Sequence, residues 1–554
     1  MKRSQQPAGC GSMETTLPLI DRVRSAAFAA LPFVLLAGLA VGLYLPSLGG
    51  GFVYDSRLQI LTDPFIHDPS HWRDVLTLHV MGMDVLDSNR PVQLVSLMAD
   101  ASIWGRDPFG YRLTNLLLHA LNGCLLFAVL RGLPRRGDSA RNQDMWVAVS
   151  AMLACALFLV HPLAVEAVCE PSNREDLLVT AFVLCTVLGA MRASATGRGW
   201  LAAVCVFTFL ALGSKETGVV APVLVGAYIF LFPGKLSRRQ RILLAVVPWV
   251  VTAVFFAVRF YAEPAESIIF VSKPGYLGGS LAAAMAIQPR IFALYLTNIF
   301  CPTNLCADYG LYSVRDLPLS SSLWVVGLAT AGLAVGCWKD RRILFASAGI
   351  AAALLPVSNL VPIYCAAADR FLYLPLALGA TVPLCLMEAE AIRRHASLRM
   401  LLFAVVAAGV LLLAGINRKA QATWLDAGAL WAESVERNPC SISCQVGLAD
   451  AMLRNRDWIG AKRRYLLIMQ MPSGRDRADM WAGLALCYDA EGDKTAARKA
   501  VGEALRLDPL FASETEMIRG LRCEAEFAKE FSGLVTRCHA MPPQAEEKAK
   551  AGPL

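Results

Sequence analysis

The chain has 554 residues, 56% hydrophobic and 17% charged, with a mean hydropathy of +0.48. A soluble protein of this size is far more polar, so most of this apolar surface has to face lipid and a soluble globular fold is excluded. The net charge of +8 is not a nucleic-acid footprint, because Lys and Arg sit in short clusters between apolar runs, as in the cytoplasmic loops of a multispanning membrane protein.

Residues 1–26 are expected to be a cytoplasmic N-terminal segment. The apolar run 27–46 is too long for a signal-peptide core and lacks a small-residue cleavage site, so it reads as a signal anchor. A span needs roughly 17–25 apolar residues. Further candidates begin near residues 114, 145, 175, 199, 218, 242, 321, 343, 371 and 399. The stretch 280–300 is weaker, interrupted by Gln288, Pro289 and Arg290.

Positive charge sets the orientation. Arg131, Arg135, Arg136 and Arg141 follow the second span, Arg192 and Arg198 the fourth, and Lys235, Arg238, Arg239 and Arg241 the sixth. Lys339, Arg341 and Arg342 precede the span near 343, and Arg393, Arg394 and Arg399 precede the last. With all these turns cytoplasmic, the N-terminus is inside and about eleven crossings bring the C-terminal tail outside. That requires 280–300 to be re-entrant or interfacial; the alternative is a twelfth span with a weaker segment demoted.

The same orientation puts four polar segments on the outer face: the long loop 47–113, HPLAVEAVCEPSNRED, GSKETG and SNLVPIYCAAADRF. Charges gathered on one face of an apolar bundle point to a functional site. In GFVYDSRLQI, Asp55 lies between apolar neighbours and beside Arg57, an arrangement that desolvates a carboxylate and tunes it as a base. An interfacial polar residue without chemistry is the plain alternative. Further along the loop, Leu94, Leu97, Met98 and Ile103 suggest an amphipathic interfacial helix or lid, ahead of the span with His119 and Asn122.

Arg90 and Arg112 are candidate phosphate ligands, since guanidinium forks match phosphate oxygens. In the next turn, His161 and Glu166 flank a helix end, while Ser172–Asn173 is expected to cap the following helix with Glu175 and Asp176 in its first turn. Arg174 shares that depth. Lys215–Glu216 and Asp369–Arg370 read either as plain ion pairs or as part of an anion pocket with Arg90 and Arg174.

After about Leu413 the chain becomes charged and helical. Trp481, Leu484, Ala485, Tyr488, Gly492, Ala497, Val501, Ala504 and Pro509 have the spacing of a tetratricopeptide (TPR) unit, a helical hairpin whose small residues let two helices approach. Leu448, Ala449, Ala461, Tyr465 and Ile468 repeat it less faithfully, and WAESVERNPCS resembles the second helix of an earlier unit. So few units make an independent array improbable, and the tail is expected to dock on the outer face of the membrane part. The resulting division is a membrane domain at 27–416, repeats at 417–540 and a disordered tail at 541–554. Cysteines inside apolar runs (Cys155, Cys185, Cys205, Cys385) read as small core residues, and no Cys/His spacing suggests a metal. Disulfide candidates are confined to Cys440, Cys444, Cys487, Cys523 and Cys538 in the tail.

These segments, in this order, resemble the transmembrane and tetratricopeptide repeat-containing (TMTC) family and its bacterial relatives among the type-C (GT-C) glycosyltransferases. The resemblance is carried by FVYDSR, RPVQLVSLMADASIWGRDPFGYRLTNLLLHALN, HPLAVEAV with SNREDLL, SKETG, CPTNLCADY, LPVSNLVPIYCAAADRFLYLP and the repeat tail. It implies an all-α polytopic enzyme that takes a sugar, typically mannose, from a polyprenyl phosphate and passes it to Ser or Thr hydroxyls of secreted or membrane proteins. Transfer would occur on the outer face, periplasmic or lumenal, with inversion. Family members commonly show an acidic pair in the first outer loop. Here the pair reads Asp55–Ser56, which leaves a single-base mechanism or an inactive chain, and puts divalent-metal binding in doubt; no cofactor is expected. The site expected from residues and resemblance together is Asp55 as base, Arg90, Arg174, Lys215 and Arg370 on the donor phosphate, and Arg57, His161, Glu166 and Glu216 in support. A TPR-bearing scaffold without activity and a transporter or flippase of lipid-linked sugars are the other readings.

Overall fold

The computed structural model describes residues 19–135, 141–197, 200–262, 275–363, 365–471, 474–521 and 523–540. Most of the expected N-terminal segment, the tail 541–554, and Arg136 and Arg198 of the orientation argument lie outside the described residues. Among the described residues every regular element is helical. Helix α1 (Leu19–Tyr44) leads into the first loop, which holds α2 (Trp72–Leu76) and α3 (Pro91–Trp104). Then come α4 (Pro108–Gly132), α5 (Arg141–Val160), α6 (Val165–Cys169), α7 (Arg174–Thr196), α8 (Leu201–Ser214), α9 (Val220–Leu231) and α10 (Arg238–Ala262). The bundle continues through α11 (Leu281–Phe300), α12 (Leu311–Arg315), α13 (Leu319–Lys339), α14 (Arg341–Leu354), α15 (Tyr373–Gly379), α16 (Thr381–Met387), α17 (Glu390–Arg394) and α18 (Ala396–Thr423).

Seven stretches are long and apolar enough to cross a membrane: Ala29–Gly49, Pro108–Gly132, Pro171–Thr196, Arg238–Ala262, Leu319–Lys339, Asp369–Met387 and Ala396–Thr423. The pair Met145–Val160 and Pro162–Cys169, bent by 55°, makes an eighth when taken as one span. This is a multi-pass membrane protein. The count is lower than the expected eleven for a physical reason. Near 199 and 218 the apolar run is cut into Leu201–Ser214 and Glu216–Leu231 by the turn of GSKETG, whose Ser214 and Lys215 are buried in the bundle. Near 343, α14 has 14 residues, about 21 Å of helix against a hydrocarbon core of roughly 30 Å. The segment 280–300 forms the 20-residue α11 with Pro289 inside it.

Helix α7 is the axis of the bundle. Of its apolar window 78% is buried, against 6% for Leu319–Lys339 and for Ala396–Thr423, which turn Trp324, Trp338, Leu411 and Leu412 outward as lipid-facing helices do. Its 23 residues span about 34 Å, with the polar turn of Glu166–Asn173 at one end and Arg192 at the other. At the Arg192 end, Lys235 N–H donates to Ser194 O at 2.7 Å and Gln240 Nε2 to Gly197 O at 2.7 Å. At the other end the α8–α9 turn folds back tightly. A Cβ on Gly218 would stand 2.5 Å from the Ala211 backbone, so glycine there lets Lys215 and Glu216 reach the bundle axis.

The long first loop has its own apolar core, Phe52, Ile60, Phe65, Val75, Val80, Leu94, Leu97 and Met98. Of the helix expected to lie along the interface, Leu94, Leu97 and Met98 are buried, whereas Ile103 is 72% exposed. The tail continues as α19 (Ala427–Arg437), α20 (Ile442–Arg454), α21 (Trp458–Ile468), α22 (Ala478–Ala490) and α23 (Lys494–Leu507), each packed on the next, and closes with α24 (Glu514–Arg519) and α25 (Ala525–Ala540). Asp457 and Asp493 cap α21 and α23 by accepting from Gly460 N–H and Ala496 N–H. The helices approach closely where residues are small: Ala485, Ala497 and Ala504 are fully buried, and a Cβ on Gly483 would stand 2.4 Å from the Tyr465 ring. Leu430, Trp431, Cys444 and Leu448 belong to the same apolar core as the bundle, so the tail is packed onto the membrane part.

Candidate functional site

Just beyond α1 the backbone is strained. Tyr54 has φ of +49°, the left-handed region that a bulky aromatic residue avoids. Its ring is held against Trp424 and Trp431, at 6.2 and 5.4 Å between centroids. A π-type turn over Arg57–Thr62 follows, in which Leu58 N–H and Gln59 N–H both donate to Asp55 O at 3.1 and 2.9 Å. Strained backbone and π-turns recur at functional sites. This one holds out the Asp55 side chain, which has no hydrogen-bond or ion-pair partner among the described residues. Burial pushes its carboxyl up to about 6, Arg370 pulls it down, and Asp87, Glu175 and Glu166 push it further up. At pH 7 it is mostly ionised and basic enough to take a proton.

The cation beside Asp55 is Arg370, and not Arg57 as the sequence suggested. Arg57 turns away to grip Glu524 of the tail with two hydrogen bonds, 2.8 and 2.9 Å. Adjacent residues need not face each other, and the π-turn points this pair apart. Arg370 stands 5.9 Å from the Tyr54 ring centroid and 5.4 Å from that of Phe371. Its guanidinium is paired with Glu166, which also accepts from Arg370 N–H at 2.9 Å. Lys215 Nζ stands 5.6 Å from the same Phe371 ring centroid and bonds Asp176 at 2.6 Å. Glu175 joins Lys215 (3.7 Å) to Arg90 (3.5 Å), and Arg90 also contacts Asp87 at 2.9 Å and Glu216 at 3.3 Å. Glu216 accepts from Asn89 and Arg259 as well, at 3.0 and 3.1 Å. The neighbouring pairs Lys215–Glu216 and Asp369–Arg370 are therefore not plain ion pairs: each residue bonds elsewhere, Asp369 to Tyr309 Oη at 2.7 Å and Asn298 Nδ2 at 3.2 Å.

Arg174 is set apart from the expected donor pocket. Its five N–H groups are all used: Asn115 Oδ1 (2.8 Å), Ser96 O and Oγ (3.0 Å each), Asp100 Oδ2 (2.5 Å) and Tyr111 O (3.0 Å). No donor is left for a phosphate. Arg112 is likewise closed on the carbonyl oxygens of Ser47, Gly51 and Trp424 at 3.1, 2.6 and 2.7 Å. His161 is held by backbone on both sides: Nε2 lies 2.9 Å from Ile299 O, and Nδ1 accepts from Leu163 N–H at 3.2 Å. The expected Ser172–Asn173 cap does not form. Asn173 precedes α7 without a side-chain capping bond, because Ser172 Oγ–H donates to Glu170 and Asn173 Nδ2 reaches Glu166 O.

Glu170 is the residue that sequence reasoning passed over. It is fully buried, and its Oε1 accepts from Ser56 N–H and Ser172 Oγ–H, both at 2.7 Å. Its Oε2 has no partner. Burial pushes its carboxyl up to about 8, hydrogen bonds from Ser172 and Ser56 offset part of this, and Asp55 adds to the rise. Both donors fall on one oxygen, which leaves the other to carry a proton at neutral pH. Ser56 thus ties the Asp55 turn to a neutral acid, while its own Oγ–H closes on Val53 O at 2.6 Å. Gln93 of α3 adds a brace, donating to Ser172 O (2.8 Å) and Glu175 (3.2 Å). The one signal for Glu170 was an acid immediately before Pro171 in a turn between two apolar runs.

No protein-family model matches the chain. Among curated proteins it is similar to protein O-mannosyl-transferase Tmtc2 of Drosophila melanogaster, 29% identical over 303 residues, which is 52% of this chain and 31% of that protein. It is 32% identical over 232 residues to Drosophila Tmtc1 (40% and 24% of the two chains). To protein O-mannosyl-transferase F38B6.6 of Caenorhabditis elegans it is 23% identical over 356 residues (62% and 49%). The resemblance to TMTC proteins is borne out. The chain spans between 24% and 49% of the length of these three relatives. Among solved structures, ArnT from Cupriavidus metallidurans bound to undecaprenyl phosphate superposes with a TM-score of 0.40 at 14% identity, over 93% of this chain and 89% of that one.

Proposed function

We propose that this chain is a type-C membrane glycosyltransferase that moves a sugar, mannose by its TMTC resemblance, from a polyprenyl phosphate to Ser or Thr hydroxyls of proteins on the outer face. The observation that carries the reading is Asp55, a desolvated carboxylate without a partner among the described residues, raised to about 6 and set beside Arg370, whose cluster continues across Phe371 to Lys215 and through Glu175 to Arg90. An acceptor hydroxyl gives its proton to Asp55 while its oxygen attacks the anomeric carbon from the face opposite the phosphate. The anomeric C–O bond breaks, its electron pair leaves with the polyprenyl phosphate, and the configuration inverts. Arg370, Lys215 and Arg90 exchange part of their bonding from Glu166, Asp176 and Glu216 to the phosphate oxygens as negative charge gathers there. The reaction balances without a cofactor.

If the short helices α8, α9 and α14 are counted as crossings, the number is eleven and this reading has the tail on the same face as the site, either in the periplasm of a bacterium or in the lumen of the endoplasmic reticulum. In this reading α19–α23 are TPR-like hairpins that stack into a surface for an extended protein acceptor. Ser56 favours one other reading, a scaffold without activity that keeps the repeats and has lost the second acid of the loop. Reconstitution of the full chain in liposomes with polyprenyl-phosphate [³H]mannose and a Ser/Thr-rich acceptor separates the two. Label released from protein by β-elimination supports transfer. Acceptor binding with no label in protein supports the scaffold, and label moving across the bilayer without reaching protein supports transport.

A further inference from the structure

The loop that follows α11 carries Cys306, and the first turn of α20 carries Cys444. Both are buried, at 7% and 0% exposure, and both carry free thiols in the structure. They come from opposite sides of the seam between bundle and tail. Both thiols donate to one carbonyl oxygen, that of Asp308, at 3.2 Å from Cys306 and 3.4 Å from Cys444. The backbone around them is pinned. Asn438 Nδ2 donates to Asp308 O and Tyr309 O at 3.0 and 2.6 Å, Ser441 Oγ–H to Asp308 Oδ2 at 2.7 Å, and Ala307 N–H to Ser434 Oγ at 3.4 Å. A buried cysteine is ordinarily a small core residue. Two thiols converging on one carbonyl oxygen across an interface, on pinned backbone, form a different arrangement.

We propose that Cys306 and Cys444 form a disulfide that staples the tail to the membrane bundle. The oxidant is a disulfide-bearing thiol oxidant of the compartment that faces the tail. Cys306 loses its proton and attacks one sulfur of the oxidant. The oxidant's S–S bond breaks and one of its sulfurs leaves as a thiol. Cys444 then loses its proton and attacks the Cys306 sulfur of the mixed disulfide, releasing the second thiol. Two cysteine thiols and one disulfide become one cystine and two thiols, so atoms and electrons balance. Access comes during biogenesis, before the seam closes.

The staple sits beside the site. Tyr309, three residues after Cys306, donates to Asp369, the residue before Arg370. Covalent closure therefore fixes α20 and the loop that supports the Arg370 turn in one unit. Disulfides of this kind form in oxidising compartments. The inference depends on the tail facing one and is independent of any sugar transfer.

The test uses the full chain in its native membranes. Membranes are denatured without reductant in the presence of N-ethylmaleimide and digested. The expected result is a linked peptide pair joining Cys306 to Cys444, two hydrogens lighter than the sum of the free peptides, and lost on reduction. Cys306→Ser should leave Cys444 open to the maleimide after denaturation, and Cys444→Ser should do the same for Cys306. The wild-type mass alone decides the matter if either variant fails to fold. Recovery of both cysteines as maleimide adducts, or of either linked to a different cysteine, overturns the proposal.

Discussion

At the end of the bundle that carries the basic turns, Glu388 is shared by Arg135 at 3.0 Å and by Arg342, and Arg342 is closed further by Asp340 at 2.8 Å. At the other end Asp55, Asp87, Glu166, Glu175, Asp176 and Glu216 face Arg90, Lys215, Arg259 and Arg370, and Asp55 is left without a partner. The first arrangement joins helices: charges meet opposite charges and nothing is held in reserve. The second keeps a carboxylate desolvated and shares Arg90 and Lys215 among several acids, so that their bonds are exchangeable. Perturbed, incompletely matched groups of this kind collect where proteins do chemistry. The difference between the ends separates structural from functional electrostatics inside one bundle, and substitution breaks it in opposite ways.

The largest effect on folding belongs to Arg174→Met. It strands the Asp100 carboxylate and four other acceptors in a buried site, and removing one partner of a buried ion pair costs about 3–5 kcal/mol. The expected outcome is loss of folded protein, read as thermal unfolding in detergent. Glu388→Ala comes next. It leaves Arg135 and Arg342 facing each other, partly exposed, so destabilisation is expected to be about 2–3 kcal/mol, discounted for solvent, with donor affinity unchanged. Equal loss of donor binding in Glu388→Ala would erase the distinction between the ends.

Arg370→Gln sharpens the comparison at the site itself. Loss of a charged hydrogen bond to the donor phosphate should weaken donor binding by about 1–3 kcal/mol. The same change removes the cation that pulls the Asp55 carboxyl down. Transfer in the wild type should fall on acidification with a midpoint at about 6, as the base becomes protonated, and in Arg370→Gln that midpoint should move to higher pH. An unmoved midpoint would detach Arg370 from Asp55. The smallest effect is expected for Glu170→Gln. With the carboxyl at about 8, Glu170 is already neutral at pH 7, and the amide oxygen accepts from Ser56 and Ser172 as Oε1 does. Activity within about twofold of wild type is expected, corresponding to less than ~0.5 kcal/mol, whereas Glu170→Ala frees the Asp55 turn and should lose far more.

Much of the charged end was legible in the sequence because charge is rare in apolar runs. Asp55, Glu166, Lys215, Glu216 and Arg370 stand out against lipid-compatible neighbours, and the structure gathers them at one end of α7. Direction was not legible. Arg57 follows Asp55 by two residues and faces the tail, and Arg174 lies among the site residues in sequence yet is used up by α3 and α4. Both outcomes depend on contacts with segments far along the chain. The turn at Ser214–Lys215 was legible as a break between two apolar runs, but not its burial in the bundle, since composition alone does not reveal that a turn lies inside. Helical hairpins in the tail were legible because small and apolar residues recur at fixed spacing. Glu170 was hidden by its setting, a single acid before a proline, whose role appears only when Ser56 and Ser172 converge on one oxygen.

The central claim is that Asp55 is the base. The most direct measurement compares wild type and Asp55→Asn in the same proteoliposomes, following binding of the polyprenyl-phosphate mannose donor and appearance of label in acceptor protein. The account predicts that Asp55→Asn folds, inserts and holds the donor within about twofold of wild type, while transfer drops by about 10²–10⁴, the range a general base supplies. Transfer at the wild-type rate in Asp55→Asn would contradict it.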